Sequence, residues 1–312
     1  MSNTLASEAA GVLPGPAAPA PDAVRYSSVA RRILDRAWSS WEFRIGLVVL
    51  VAVLALTVLY PMFSSIDPGK AAVSMRFKPP VPFDGSSWAH PLGTDQLGRD
   101  TLVRSLIGLR YSLMIGIGTV VLMFVVGCTL GLIAGFRGGR IGAAIMRLAD
   151  AQLSIPMIIL AITVLGVSRP TIPAIVLVLA LSGWPLYARV ARSAALAQSK
   201  HEAVRGARIL GASDWRIMLL MVAPAVLPPI AFVSVLDIAR MMIFEATLGF
   251  LGLGVQPPTP SFGSIIADGR KYLINAWWIA TMPGVFLLVS LTSINLIGAS
   301  LERARNAVLK GN

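Results

Sequence analysis

Cysteine is almost missing from this 312-residue chain, and histidine is nearly so. Cys128 is the single thiol, and His90 and His201 are the two imidazoles. One cysteine excludes a disulfide within the chain and a Cys-based metal site. Cys128 lies in an apolar run and reads as a small core residue. The histidines stand far apart without ligand-like neighbours and read as ordinary polar residues, His201 at a helix start. Charge is scarce too. Charged residues make up 13% of the chain and hydrophobic residues 55%, whereas soluble domains carry about 25% charged residues. A soluble domain is excluded, and an integral membrane protein is indicated. Acids are the scarcer sign, 15 against 27 Lys and Arg. Few of them fall in apolar runs, so the series of buried carboxylates that a proton-driven carrier wants is absent. Phosphate-binding loops are missing as well, because the only Gly-Lys, Gly69-Lys70, continues with Ala. Neither a nucleophile elbow nor an HExxH helix is present. The chain is expected to catalyse nothing covalent and to bind no metal or cofactor.

What the chain does have is apolar runs of membrane length. A span needs about 20 apolar residues. Six stretches approach this: Ile45 to Phe63, Leu113 to Phe136, Ala144 to Val167, Ile172 to Val190, Ile217 to Phe244 and Ile279 to Ala299. The third is less regular, with Asp150, Gln152 and Pro156 inside it. An all-α integral membrane protein with about six transmembrane helices follows. Residues 1–24 are rich in Ala and Pro and read as a disordered tail without the pattern of a cleaved signal peptide. Residues 25–44 carry Arg25, Arg31, Arg32, Arg36 and Arg44 with Trp38 and Trp41, the pattern of a cytoplasmic, interface-bound arm. The first span, 45–63, leads into an external segment, 64–108, and then a five-helix core, 109–302, with a loop at 193–216. A short tail, 303–312, closes the chain.

The net charge of +12 would suggest nucleic acid in a soluble protein. Here the basic residues flank the spans, which favours membrane lipid and no nucleic acid as the partner. With the N-terminus inside, the arm, the Arg137/Arg140/Arg147 turn, the 189–216 loop and the Arg303/Arg305/Lys310 tail all fall inside. The positive-inside rule therefore puts both termini in the cytoplasm. Trp277 and Trp278 suit an anchoring role at the outer interface.

Gly127, Gly131 and Gly135 recur every four residues on the second span, a stripe that lets two helices approach closely. Packing within the chain is the expected use, ahead of homodimerisation. Pro156, Pro185, Pro224, Pro228 and Pro229 each remove a backbone donor from a span. Kinks at Pro156 and Pro185 suit either a translocation path or plain packing. Asp150 follows Arg147 by three residues and Asp237 precedes Arg240 by three, so each pair can meet on one helix face. Glu245 near the outer end of the fifth span is an end residue or a gating candidate.

The segment from Lys200 to Pro229 is polar, basic and helical at its start, between two long apolar runs. Gly206, Ala207, Gly211 and Ala212 leave room for another protein's surface, and Arg205, Arg208, Asp214 and Arg216 can orient it. It looks built to be gripped.

Three stretches together carry a resemblance: HPLGTDQLGRDTLVRSLIGLRYSL at 90–113, RGARILGASDWRIMLLMVAP at 205–224, and FEATLGFLGLGVQPPTPSFGSIIADGRKYL at 244–273. They resemble the permease subunits of binding-protein-dependent ABC importers, in particular the C-type permease of the dipeptide/oligopeptide/nickel group. The resemblance covers about residues 26–310. Its loop pattern is Glu-Ala-Ala, three residues, Gly, nine residues, then Ile-x-Leu-Pro. Arg205, Gly206 and Ala207 take the first three places here, Gly211 the glycine, and Met221, Ala223 and Pro224 the end. Arg thus stands where the family has Glu. The alternative register at Glu202 misplaces Gly211.

The resemblance implies the type I (MetI-like) permease fold, with a coupling helix at 200–216 docked on a cytoplasmic ATPase. Arg205, Gly206, Ala207, Gly211, Asp214 and Pro224 would form that ATPase-coupling segment. It further implies a second homologous permease, two ATP-binding cassette ATPases that hold ATP and Mg, and an extracytoplasmic substrate-binding protein touching 64–110 and 250–278. The place implied is the bacterial inner membrane. Peptides lead as cargo, with nickel complexes or glycosides as competitors. A carrier or channel acting alone, and a structural or signalling membrane subunit, are the readings from other classes.

Overall fold

The computed structural model describes residues 26–63 and 69–310. The expected tail at 1–24 lies outside the described residues, as do parts of the segments at 64–108 and 303–312. All regular structure among the described residues is helical: α1 (Tyr26–Trp38), α2 (Trp41–Phe63), α3 (Thr101–Arg137), α4 (Gly139–Leu153), α5 (Met157–Val167), α6 (Ile172–Ser199), α7 (Glu202–Ile209), α8 (Asp214–Ile217), α9 (Ala223–Phe250), α10 (Phe262–Gly269) and α11 (Trp278–Lys310). Five helices are long and apolar enough to cross a membrane, and a sixth crossing exists if α4 and α5 count as one span.

That qualification corrects the third span. The run from Ala144 to Val167 is not one straight helix: α4 and α5 meet at 81°. Pro156 is the cause, since it begins α5 as its cap residue and offers no N–H to continue α4. The second span is longer than its apolar run, because α3 starts at Thr101. Asp100 caps that start, accepting a hydrogen bond from the Val103 amide at 2.7 Å. At 37 residues α3 is about 55 Å long, beyond the ~30 Å of a hydrocarbon core. Its first turns are therefore an extramembrane stalk, and they are buried by other parts of the chain.

The longest contact in the bundle is α3 against α6, and the glycine stripe makes it. A Cβ on Gly127 would sit 2.5 Å from the Trp184 carbonyl oxygen, and one on Gly135 would sit 2.6 Å from the Arg192 oxygen. A Cβ on Gly131 would strike Ala188 and Ala191. Small residues on both helices bring the backbones together where lipid supplies no hydrophobic drive. α9 lies against α3, α6 and α11, closing a core that includes Met123, Leu179, Val226 and Met241. α1 packs Ile33 and Ala37 on Leu301, Ala304 and Val308 of α11, and Arg303 ion-pairs with Glu42. Along α2, Val48, Val51 and Val58 are exposed, the surface a lipid tail would cover.

One further irregularity sits at the start of the fifth span. α8 and α9 are joined by a π-helical stretch, Met218–Val222, so helix continues from Asp214 to Phe250. The last turns of α9 and the first of α3 and α11 define one end of the bundle, with α10 and the 69–100 segment. The other end carries α1 and α7.

Candidate functional site

At the α7 end, the chain leaves α6 at Ser199 and turns directly into α7. Val204 is the one buried residue of this eight-residue helix, its plug into the bundle. Gly211 then adopts φ +80, a left-handed conformation that glycine takes without strain. Its neighbours close the turn, with the Ala212 amide donating to the Ala207 carbonyl at 3.0 Å. Ser213 caps α8 by accepting from the Arg216 amide at 3.4 Å. Arg208 ties the two short helices together, 3.4 Å from Asp214, and lies over the Phe136 ring at the end of α3.

The structure thus places Arg205, Gly206, Ala207, Gly211 and Asp214 on one compact unit. Arg205, Gly211 and Asp214 are exposed, and nothing lies within 4 Å of a Cβ added at Gly206 or Gly211. Pro224 stands apart from them, in the first turn of α9 beyond the π-helical stretch. Three residues missed in the sequence complete the surface. Ile209 is 86% exposed, Leu210 88% and Trp215 56%. An Ile-Leu pair at the end of a basic helix was the available signal. Large apolar side chains held open at this level on a turn make an exposed apolar platform.

At the opposite end, the stretch 90–113 builds a latch. The Asp95 carboxylate accepts from the Leu97 and Arg99 amides at 2.8 and 2.9 Å and from Arg99 Nε at 2.6 Å. Arg104 lies 3.6 Å from the same carboxylate, and Arg99 reaches Asp268 of α10 at 3.8 Å. The Thr94 carbonyl accepts from the Trp278 indole at 3.1 Å, which fastens the segment to the start of α11. Trp278 is therefore a buried strut and not an interface anchor; Trp277 beside it is partly exposed. Gly93 and Gly98 run at φ +77 and +76 with backbone packed where a side chain would go. His90 has a partner after all, since its Nδ1 lies 2.8 Å from Asp100.

Within the spans, three acids resolve differently. Glu245 is completely buried, and Ser112 Oγ donates to its Oε2 at 2.5 Å across the α3–α9 contact. As a residue lining a path it is corrected: no open space reaches it. Asp150 pairs with Arg189 of α6 at 2.5 Å, not with Arg147 on its own helix, because α4 packs alongside α6. Asp237 does pair with Arg240, at 3.0 Å, and also accepts from the Tyr187 hydroxyl at 2.7 Å. Of the two proline candidates, Pro185 is buried inside α6 and Pro156 is exposed at the α4–α5 break. Among the described residues, no group of three or more His, Cys, Asp and Glu could hold a metal ion.

Comparisons with known proteins speak to the family and the fold. A family model described as "Binding-protein-dependent transport system inner membrane component" matches residues 127–306. The chain is similar to a di/tripeptide transport system permease protein, DppC, of Pseudomonas aeruginosa, 36% identical over 85% of this chain and 88% of that protein. It is also 36% identical to the dipeptide transport system permease protein DppC of Escherichia coli, over 85% and 89% of the two chains. A putative peptide transport system permease protein of Brucella suis is 37% identical over 90% and 91%. Among solved structures, a chain of the MetNI methionine ABC transporter in an inward facing conformation matches with a TM-score of 0.52. It is 21% identical and covers 67% of this chain and 96% of that one. At that identity the match speaks for the fold, which is the MetI-like permease fold.

Proposed function

The chain belongs to the binding-protein-dependent transport system inner membrane components, as a permease of the dipeptide/oligopeptide group, and on that premise we propose the following reading. It moves di- and oligopeptides across the bacterial inner membrane within an ATP-driven importer. It does so beside a second, homologous permease. Two separate ATPases hold ATP and Mg, which this chain does not bind, and an extracytoplasmic binding protein delivers the peptide to the α10 end. Both termini and α7 face the cytoplasm, in keeping with the distribution of Arg and Lys.

The observation that carries the coupling role is the α7–Gly211–α8 unit. It offers exposed Ile209, Leu210 and Trp215 beside exposed Arg205, on a turn braced by the Arg208–Asp214 pair. An apolar centre with a charged rim is what a partner's groove recognises. Closure of the two ATPases would move this unit, and through α8 and α9 the spans. The peptide cargo is supported by the curated relatives, whose names give peptide, dipeptide or di/tripeptide transport.

The test is ATP-dependent uptake of labelled di- to pentapeptides into vesicles carrying the whole transporter, with Gly211→Arg in parallel. Gly211 sits at φ +80, so the variant disturbs the turn while the spans stay in place. Uptake lost in the variant with insertion retained supports the reading. Uptake independent of ATPases, or unchanged by the variant, overturns coupling through α7. ATPase stimulation without peptide uptake overturns the cargo.

A further inference from the structure

The open face of α9 carries a charged group that the apolar platform and the latch do not use. Val233, Asp237, Arg240, Phe244 and Thr247 follow one another at spacings of four and three residues and so share one side of the helix. Each of them is half-buried or exposed. Arg240 has its side chain 57% exposed, while Asp237 beside it is 17% exposed. Arg216 is the nearest charged residue before this pair in the chain and Glu245 the nearest after it. Arg240 therefore sits within the apolar length of α9, roughly 15 Å along the helix from its Phe250 end and a little over one turn past Glu245.

Lipid tails cannot satisfy a guanidinium. Ionisable groups at this depth face a bundle interior or a water-filled cavity, and the contrast with α2 makes the point. That helix exposes Val48, Val51 and Val58 and has no ionisable side chain between Ile45 and Tyr60. α9 instead exposes an arginine, with Ile243 one turn further on. A guanidinium on that face calls for a polar space beside it, and in a transporter built with a second permease the path between the two chains would be that space.

The arginine is also held. Tyr187 of α6 donates to one Asp237 oxygen at 2.7 Å, and Arg240 Nη1 lies 3.0 Å from the other. Tyr187 is itself buried and braced edge-on by Phe124 of α3. A relay from Tyr187 through Asp237 thus engages one nitrogen of the guanidinium, and no other partner of its donors is found among the described residues. Among the described residues, Asp237 is the only ionic partner of Arg240. A planar fork with one side anchored and the other open matches a carboxylate.

We infer that Arg240, positioned by Asp237 and Tyr187, is a station in the translocation path that takes the C-terminal carboxylate of the passing peptide. The inference rests on the peptide reading above. Peptides of different sequence share only their main chain and its two charged ends, so a path serving many of them can recognise little else. A free carboxylate entering a low-dielectric passage needs a counter-charge at that depth. Arg240 supplies it without a fixed geometry for any side chain.

The experiment uses the complete transporter in proteoliposomes, with radiolabelled Ala-Phe uptake and ATP hydrolysis measured on the same vesicles. With Arg240→Gln, uptake is expected to fall about tenfold while hydrolysis stimulated by loaded binding protein stays within about twofold, so fewer peptides move per ATP. Arg240→Lys keeps the charge but not the fork and is expected to lose about threefold. Asp237→Asn, which frees the guanidinium, should also lower peptides per ATP. Uptake unchanged in both Arg240 variants overturns the station while leaving the peptide importer intact. Uptake and hydrolysis falling in parallel, or loss of the second permease on co-purification, overturns it in favour of a subunit contact. An unmodified transporter that moves no peptide overturns this inference and the peptide reading together.

Discussion

Ser112 and Glu245 meet across the α3–α9 contact with 2.5 Å between Oγ and Oε2, in a place fully closed to solvent. The pair clamps the helix that bears the latch to the helix that bears the open face. Removing one partner of a buried hydrogen bond costs about 1–3 kcal/mol because the other is left unpaired. Glu245→Ala should therefore lower the melting temperature of the purified complex, and Glu245→Gln, which can still accept from Ser112, should lower it much less. Equal losses in the two variants, read by thermal denaturation in detergent, would refute the clamp.

The glycine stripe gives a sharper contrast. Gly131→Ala places a methyl group against Ala188 and Ala191, whereas nothing lies within 4 Å of a Cβ at Gly166. Overpacking of a tight contact costs about 1–3 kcal/mol. The first variant should reduce the inserted, folded fraction, and the second should match the parent protein. Size-exclusion profiles of the two variants after mild heating check this.

Asp95 gathers two backbone amides and two arginines in the latch. Asp95→Ala frees all of them at once while every span keeps its own apolar surface. Limited trypsin digestion should then cut at Arg76 or Arg99 about tenfold faster, since cleavage follows local opening, with the helical signal of the bundle unchanged. Equal cleavage rates would show that the segment is held by other contacts.

Ile209→Ser with Leu210→Ser removes the apolar centre of the platform. Both residues are almost wholly exposed, so the fold should melt as before. Co-purification of the ATPases should fall about tenfold or more, the size expected for central apolar anchors. Undiminished co-purification would place the ATPase contact elsewhere.

The helices could be read from the chain because each apolar run needs its backbone satisfied internally, and Pro156 marked where the third would fail. Its 81° bend depends on how α5 packs against α6, which no local pattern encodes. Asp150 shows the same limit. Spacing offered Arg147 on its own helix, and the packing of α4 on α6 delivered Arg189 from another. The 90–113 stretch stood out only as part of a family resemblance, with no role for its glycines and acids. What it does waits on Trp278, 184 residues beyond Thr94. Burial of most of α3 between Thr101 and Ser112 was hidden for the same reason, since the atoms that cover it are distant in sequence. The platform residues Ile209 and Leu210 were passed over because exposure is a property of the fold.

The π-helical stretch at Met218–Val222 and the prolines at 228 and 229 give the rod from Asp214 to Phe250 an uneven stiffness. At the first point the backbone hydrogen bonds span one residue more than in the α-helix. At the second, the carbonyls of Pro224 and Ala225 lose the amide four residues on that an α-helix supplies. A load applied at α7 meets two compliant joints before it reaches Asp237, and none between Arg240 and Phe250. Under such a load the near part of the rod would flex and the far part would swing as one piece.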